Sequence, residues 1–487
     1  KGILDTGSAF TFSIHTSAAL LTAPMATTNT MNIETNVLDP LIVNNGFCRF
    51  VLEKKGILDT GSAFTFSIHT SAAGDKKAFL PLKTGIHSLI KRAVLRVGSK
   101  IVAITDDYAH YMTIRRQFKT PEEKSQKDMV KTGCVDVLCP NNAQSGQLQL
   151  RDVSYSDDTT AEVIKAYQLT KGTTHTPIFS IRISELFPMM RNVQLPLFLI
   201  NEPCSIELTF NQQATGAGDL GKVACFDKAY VDGGGDTSVS VATNNVKFLA
   251  DYLTYDDNTM NETAKLVMSE NGMVIPYEDV VLTSTQYQAA APAPTGQEVT
   301  RQNNIRDLGL SGMMVRSILC SQSVQTNNSI LGRYTSPAYN VPDEYQIRIN
   351  DMQKYPRPVV SESQKAYQLS QVFNTDISVA NCEYSNDQAT NKAEAAQAIN
   401  NQMIAPNTLA GQNQQELAGA QHYIGCDLTI NPISSAISNG VVVGQKPIQF
   451  MHTLHRTADS NKVRDVRFFS IVERQMVLKG GQVMVSA

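Results

Sequence analysis

The chain has 487 residues, of which 42 Lys and Arg stand against 45 Asp and Glu, a formal net charge of −3. With 42% hydrophobic and 18% charged residues, it has enough apolar material for a sizeable core, and a disordered chain is excluded. Blocks of basic residues are lacking, which argues against a dedicated or sequence-specific nucleic-acid binder. That length predicts two large domains or three ordinary ones. Eight cysteines (Cys48, Cys134, Cys139, Cys204, Cys225, Cys320, Cys382 and Cys426) are too sparse for a disulfide scaffold and read as buried free thiols. The closest pair, Cys134 and Cys139, has no second pair at zinc-ribbon spacing.

The chain opens on a repeat. Lys1–Ala19 recurs without a change at Lys55–Ala73. Structural repeats drift while keeping their pattern, so an identical copy points to a recent duplication or an assembly error. Met25 is the expected natural start, and residues 1–24 are expected to lie outside the working protein. No charged-then-apolar leader pattern opens the sequence.

Each copy carries Asp-Thr-Gly-Ser, at Asp5 and Asp59, which resembles the catalytic loop of aspartic proteases. Such an enzyme holds two carboxylates a few ångströms apart on one shared proton. Spacing argues against that chemistry: only 54 positions separate the loops, too few for a lobe between them. The apolar-apolar-Gly segment that a small protease lobe needs is matched only far downstream, at Ile330-Leu331-Gly332. The loop reads instead as a turn before the alternating strand Phe64–Ile68.

Downstream, a helix is expected over Asp107–Arg116, carrying His110 beside Tyr108 and Tyr111. A second follows from Thr120-Pro121-Glu122-Glu123, an N-cap with proline in the first turn, to about Lys131. Alternating strands follow at Phe179–Ser184 and Cys204–Phe210. In the latter, Cys204, Ile206, Leu208 and Phe210 share one face. Between them Leu195–Ile200 is the longest apolar run, well short of the roughly 18 residues of a membrane span. Gly216–Lys222 has phosphate-loop spacing, but Val223 stands where Ser or Thr must hold magnesium, so it reads as a loop. Polar, glycine-rich stretches at 212–221, 231–245, 289–297 and 405–415 are expected surface loops. A strand over Val246–Tyr255 precedes a polar stretch, Asp256–Gly272, that reads as a domain boundary.

The second half repeats the style, with strands at Tyr345–Asn350 and Ile448–Leu454. Ser361 and Gln364 open a helix bearing Ala366, Leu369, Val372 and Phe373, and another is expected over Ala393–Met403. His452 and His455 would suit a metal only on a helix; on a strand they face opposite ways. Ile471–Val485 is expected to fold back at Gly480-Gly481. Alternation in short runs indicates antiparallel sheets with one buried face. The expected fold is all-β: two consecutive eight-stranded sandwiches with a few short helices in the loops. The expected divisions are an arm over 1–29, sandwiches over 30–258 and 276–487, and a connector over 259–275. No catalytic, cofactor-binding or metal-binding residue is assigned, and a non-enzymatic role is expected.

Several segments together resemble the double jelly-roll major capsid proteins, with those of polinton-like viruses and virophages as nearest kin. They are His87–Gly98 leading into Asp106–Tyr111, Leu195-Pro196-Leu197 ahead of Ile206–Phe210, and Ala250–Tyr255. Tyr345–Asp351 with the Tyr367–Phe373 helix, Gly444–Ile448 and the ending Val472–Val483 complete the set. Each is a loose strand pattern; their order over residues 40 to 487 carries the likeness. The copied segment at Lys1–Pro24 departs from the family pattern.

The resemblance implies homotrimeric capsomers of pseudo-hexagonal outline that tile an icosahedral shell around a double-stranded DNA genome. Its implied partners are further copies of the chain, a penton protein and minor capsid proteins. Its implied place is the virion, after synthesis in the host cytoplasm or nucleus. Loops such as Asp232–Asn245 would form an outer crown or trimer contacts; Met25–Asp39 and Met484–Ala487 would be arms. Two alternatives stand beside it: an aspartic protease using Asp59, and a glycan- or receptor-binding β-sandwich.

Overall fold

The structure, a computed structural model, describes residues 27–34, 36–37, 46–70, 78–79, 84–117, 131–134, 138–140, 148–150, 168–169, 178–211, 226–227, 241–287, 302–324, 344–373, 423–429, 440–454 and 464–486. The first repeat copy with Asp5, most of the helix expected at 120–131, the helix at 393–403 and the Gly216–Lys222 loop lie outside them. So do Ile330-Leu331-Gly332, His455, Cys225, Cys382 and the loops 212–221, 289–297 and 405–415.

Eight principal strands build the first half: β1 (Thr27–Glu34), β2 (Phe47–Leu52), β3 (Ala63–Thr70), β4 (Ile90–Val97), β5 (Lys100–Asp106), β6 (Ile178–Arg182), β7 (Cys204–Phe210) and β8 (Val241–Thr254). They pair antiparallel as β1-β8-β3-β6 in one sheet and β2-β7-β4-β5 in the other, with short flanking strands added. The second half supplies β9 (Met273–Tyr287), β10 (Gln302–Asp307), β11 (Met314–Val324), β12 (Glu344–Ile349), β13 (Met352–Gln353), β14 (Tyr423–Asp427), β15 (Gln449–Leu454) and β16 (Arg464–Lys479). Its sheets run β9-β16-β11-β14 and β10-β15-β12-β13. Adding eight to each strand number of the first half reproduces the second. One jelly-roll topology therefore occurs twice in the chain. A last strand, β17 (Gln482–Ser486), folds back on β16 through Gly480-Gly481, as expected.

The cores follow from the alternation. Ile206 on β7 stands opposite Phe50 on β2 and Leu95 on β4, and all three are fully buried. Facing that row, Phe64 on β3 stacks on Phe248 of β8 at 4.4 Å and meets Phe50 edge-on at 5.1 Å. In the second half Phe450 of β15 lies opposite Ile347 of β12 and meets Phe468 of β16 edge-on at 5.1 Å. Each buried Phe contributes about 1.5–3 kcal/mol, so these rows fix which face of every strand turns inward.

Among the described residues three helices of ten or more residues decorate the sheets: α1 (Tyr108–Gln117), α2 (Asp257–Met268) and α3 (Glu362–Phe373). Ser361 Oγ accepts from the Gln364 N–H at 3.2 Å, the expected N-cap of α3. Two strand bounds are corrected. The Phe179–Ser184 strand stops at Arg182, where Glu185 accepts the Arg182 N–H at 2.9 Å and starts a helical turn, Ile183–Leu186. The last strand of the first half begins at Val241 rather than Val246, because backbone pairing with Thr70 and His69 continues through polar residues. The polar stretch after it is helical: Asp256 caps α2, and only Val267 is buried, so no apolar stripe marks the helix.

Candidate functional site at the joint of the sandwiches

The motifs that could carry chemistry resolve into structure. Asp59 holds its own turn: its carboxylate accepts from the Gly61 N–H at 3.3 Å and from Gln194 Nε2 at 3.0 Å. The Asp59 N–H donates to Asp251 O at 2.8 Å, and the Asp251 N–H donates to Ser62 Oγ at 2.9 Å. The Asp-Thr-Gly-Ser segment is thus a corner pinned to β8. His452 is buried on β15, against Phe450. Cys48, Cys134, Cys204, Cys320 and Cys426 are buried thiols. Burial pushes the Cys48 and Cys204 thiols up to about 12 and Cys426 to about 11, the wrong direction for a nucleophile. Among the described residues no group of three or more His, Cys, Asp or Glu could hold a metal ion. Nor is any described helix long and apolar enough to cross a membrane.

Polar groups concentrate instead where the two sandwiches meet, with β5 of the first against β9 of the second. Tyr277 Oη on β9 donates to Val102 O at 2.6 Å, and Ile104 N donates to Asp279 Oδ1 at 3.4 Å. Asp279 is fully buried, and Arg474 on β16 lies 3.2 Å from its other oxygen. Burial raises the Asp279 carboxyl to about 6, although Arg474 opposes the shift.

The second anchor is Asp107, at the corner between β5 and α1, with φ of +49°. Its carboxylate bonds to His110 Nδ1 at 2.7 Å and to Arg467 on β16. Burial alone would raise its pKa, but His110 and Arg467 hold it well below the carboxylate range. His110, read from the sequence as packed or solvated rather than catalytic, thus bonds to the carboxylate that Arg467 meets from the other side of the joint. Lys100 Nζ donates to Val483 O at 2.8 Å, and the Asn201 N–H to Gly481 O at 2.8 Å.

Apolar contacts seal the same joint. Tyr111 and Ile114 of α1 pack with Val280, Leu319, Leu369, Phe469 and Ile471 of the second half. Sequence reasoning singled out none of Asp107, Asp279, Arg467 and Arg474 as joint residues. One signal was present: Asp279 continues the inward row Ile275, Tyr277, and a carboxylate on the buried face of a strand needs a partner.

The joint holds the two sandwiches as one block. No protein-family model matches the chain, and no curated protein does. Solved structures do. The VP54 protein of PBCV-1, fitted into a reconstruction of the virophage Sputnik, aligns with TM-score 0.57 at 8% identity, over 97% of this chain and 99% of that one. A chain of the Sputnik virophage structure aligns with TM-score 0.54 at 12% identity, over 97% and 90%. The Faustovirus major capsid protein aligns with TM-score 0.53 at 9% identity, over 97% and 93%. The shared property is the fold: this chain is a double jelly roll of the kind found in viral capsid proteins, as the sequence resemblance implies.

Proposed function

We propose that the chain is a major capsid protein. The observation that carries this reading is the doubled strand order: two sandwiches of one topology, fused at a buried joint, matched end to end by capsid proteins. Two similar blocks in one chain give a three-chain ring six blocks and a pseudo-hexagonal outline, the shape that tiles a flat facet. Such a ring is closed by heterologous contacts, each burying on the order of 2,000 Å² or more if permanent. Edge strands favour the same assembly, since open edges are covered by a neighbour or left prone to aggregate.

On this reading the capsomers tile an icosahedral shell around a double-stranded DNA genome, with a penton protein at the vertices and minor capsid proteins between facets. The chain acts in the virion as a building block without enzymatic activity. Domain limits of 30–258 and 276–487, joined through 259–275, belong to the same proposal. Strand pairing supports them: no described strand within Thr27–Thr254 pairs with one within Met273–Ser486, although β1 and β9 each start three residues outside those limits.

Light scattering on a sizing column tests the assembly. Three chains of 53.3 kDa make a particle of about 160 kDa, expected to persist on dilution. A monomer at all concentrations would remove the capsomer reading.

A further inference from the structure

The doubled topology repeats the elements of the joint. Within the chain, α1 holds to the core of its own sandwich through Tyr108 and Met112. It turns Tyr111 and Ile114 away, onto Val280 of β9, Leu319 of β11 and Phe469 and Ile471 of β16. Those four residues form the outward face of the second sandwich's sheet. The second half has a helix at the place of α1: α3 lies between β13 and β14, as α1 lies between β5 and β6. The first half has the receiving face, on β1, β8 and β3, which correspond to β9, β16 and β11.

Both counterparts are accessible. Helix α3 presses on its own sandwich through Leu369 and Val372, which fill the space that a Cβ on Gly425 of β14 would take. Tyr367, two residues and so about 200° before Leu369, turns to the opposite side of the helix and is 59% exposed. Along β8 the burial alternates. Val246, Phe248, Ala250 and Tyr252 are buried in the core, whereas Lys247 is exposed and Leu249, Asp251 and Leu253 are half-buried on the outward face. Ile178, 64% exposed, opens β6 on that same face. Helix and face are both open in the single chain, so they do not cover each other within it.

We propose that the outward face of β1, β8 and β3 is the docking surface for α3 of a second copy of this chain, with Tyr367 set against Leu249 and its outward neighbours. The surface rests on the capsid reading and deepens it. A six-block ring has three joints within chains and three between them, and the repeated elements let one kind of contact serve for both. Helix and face lie on different halves, so each chain gives one and takes one, the heterologous arrangement that closes a ring. The face covered within the chain is apolar. Its counterpart mixes Lys247 and Asp251 with Leu249 and Leu253, the polarity of a surface that stands in water before its partner arrives.

Light scattering on three variants tests the surface, with circular dichroism melts to check folding. Tyr367→Asp, at an exposed position, is expected to melt cooperatively and to raise the concentration needed for trimers by about tenfold or more. Leu249→Arg, on the receiving face, is expected to do the same. Ile305→Asp, equally exposed but on β10 of the other sheet, is expected to assemble as wild type. A trimeric wild type with Tyr367→Asp and Leu249→Arg still trimeric overturns the surface and leaves the capsid reading standing. Equal loss of trimers in Ile305→Asp also overturns it, as a general effect of added charge. A wild type that stays monomeric at all concentrations overturns both the surface and the capsomer. Should Leu249→Arg fail to fold, Tyr367→Asp decides.

Discussion

Two carboxylates stand at the joint, Asp279 fully buried and Asp107 half-buried, and they titrate in opposite senses. Asp279 is raised to about 6, chiefly by burial, from 3.8. The folded chain binds this proton more tightly than the unfolded chain, so its stabilising effect is complete below pH 3.8 and is lost as pH rises through 6. Asp107 is lowered, so its contribution is present above the ordinary carboxylate range and is lost in acid. Asp279→Asn keeps an acceptor for the Ile104 N–H and removes the titration. Urea unfolding across pH 4 to 7 should show wild-type stability falling relative to Asp279→Asn by up to about 3 kcal/mol as pH rises. Parallel profiles would mean that Asp279 is ionised without cost, with Arg474 fully offsetting its burial.

Among the elements, the terminal hairpin gives the sharpest test. Gly480 and Gly481 both have positive φ, +58° and +79°, the backbone of a two-residue turn that matches strand twist. A Cβ on Gly480 meets nothing within 4 Å, whereas one on Gly481 falls 2.1 Å from Asn201 Nδ2 in the first half. Gly480→Ala should therefore cost only backbone strain, about 1–2 kcal/mol. Gly481→Ala should cost more, because Asn201 must also move; comparative urea melts measure the difference, and equal losses would show that Asn201 yields freely.

This hairpin was legible in the sequence, since Gly-Gly between alternating runs admits few other readings. Strand Cys204–Phe210 was legible to the residue for a similar reason: four apolar side chains on one face leave a single register. Helix α2 was not, because it buries only Val267 and its polar residues read as a linker. The extension of β8 to Val241 was hidden as well, since backbone pairing with β3 holds it rather than side-chain pattern. At the joint, alternation identifies which residues are buried but not which sandwich buries them. The partners Asp107 and Arg467 lie 360 positions apart, beyond any local pattern.

At the scale of the whole molecule, strand pairing and packing divide the chain differently. No described strand pair crosses between the halves, yet Ile275, Tyr277, Met476, Leu478 and Val483 of the second half belong to the hydrophobic core of the first. The lower ends of β9 and β16, with β17, thus cover the first sandwich as a lid of its own core. Removing them takes five apolar side chains out of that core and bares the residues they cover, a loss of about 1.5–3 kcal/mol for each, which is of the same order as the roughly 5–15 kcal/mol net stability of a typical domain. Residues 25–258 expressed alone should accordingly lack a cooperative thermal transition and aggregate, whereas the full chain melts cooperatively. Calorimetry on the fragment decides: a sharp endotherm would show that the first sandwich closes its own core, and that the two halves are beads rather than one fused block. On the proposed capsid reading, such fusion would keep a six-block outline from deforming at its facet contacts.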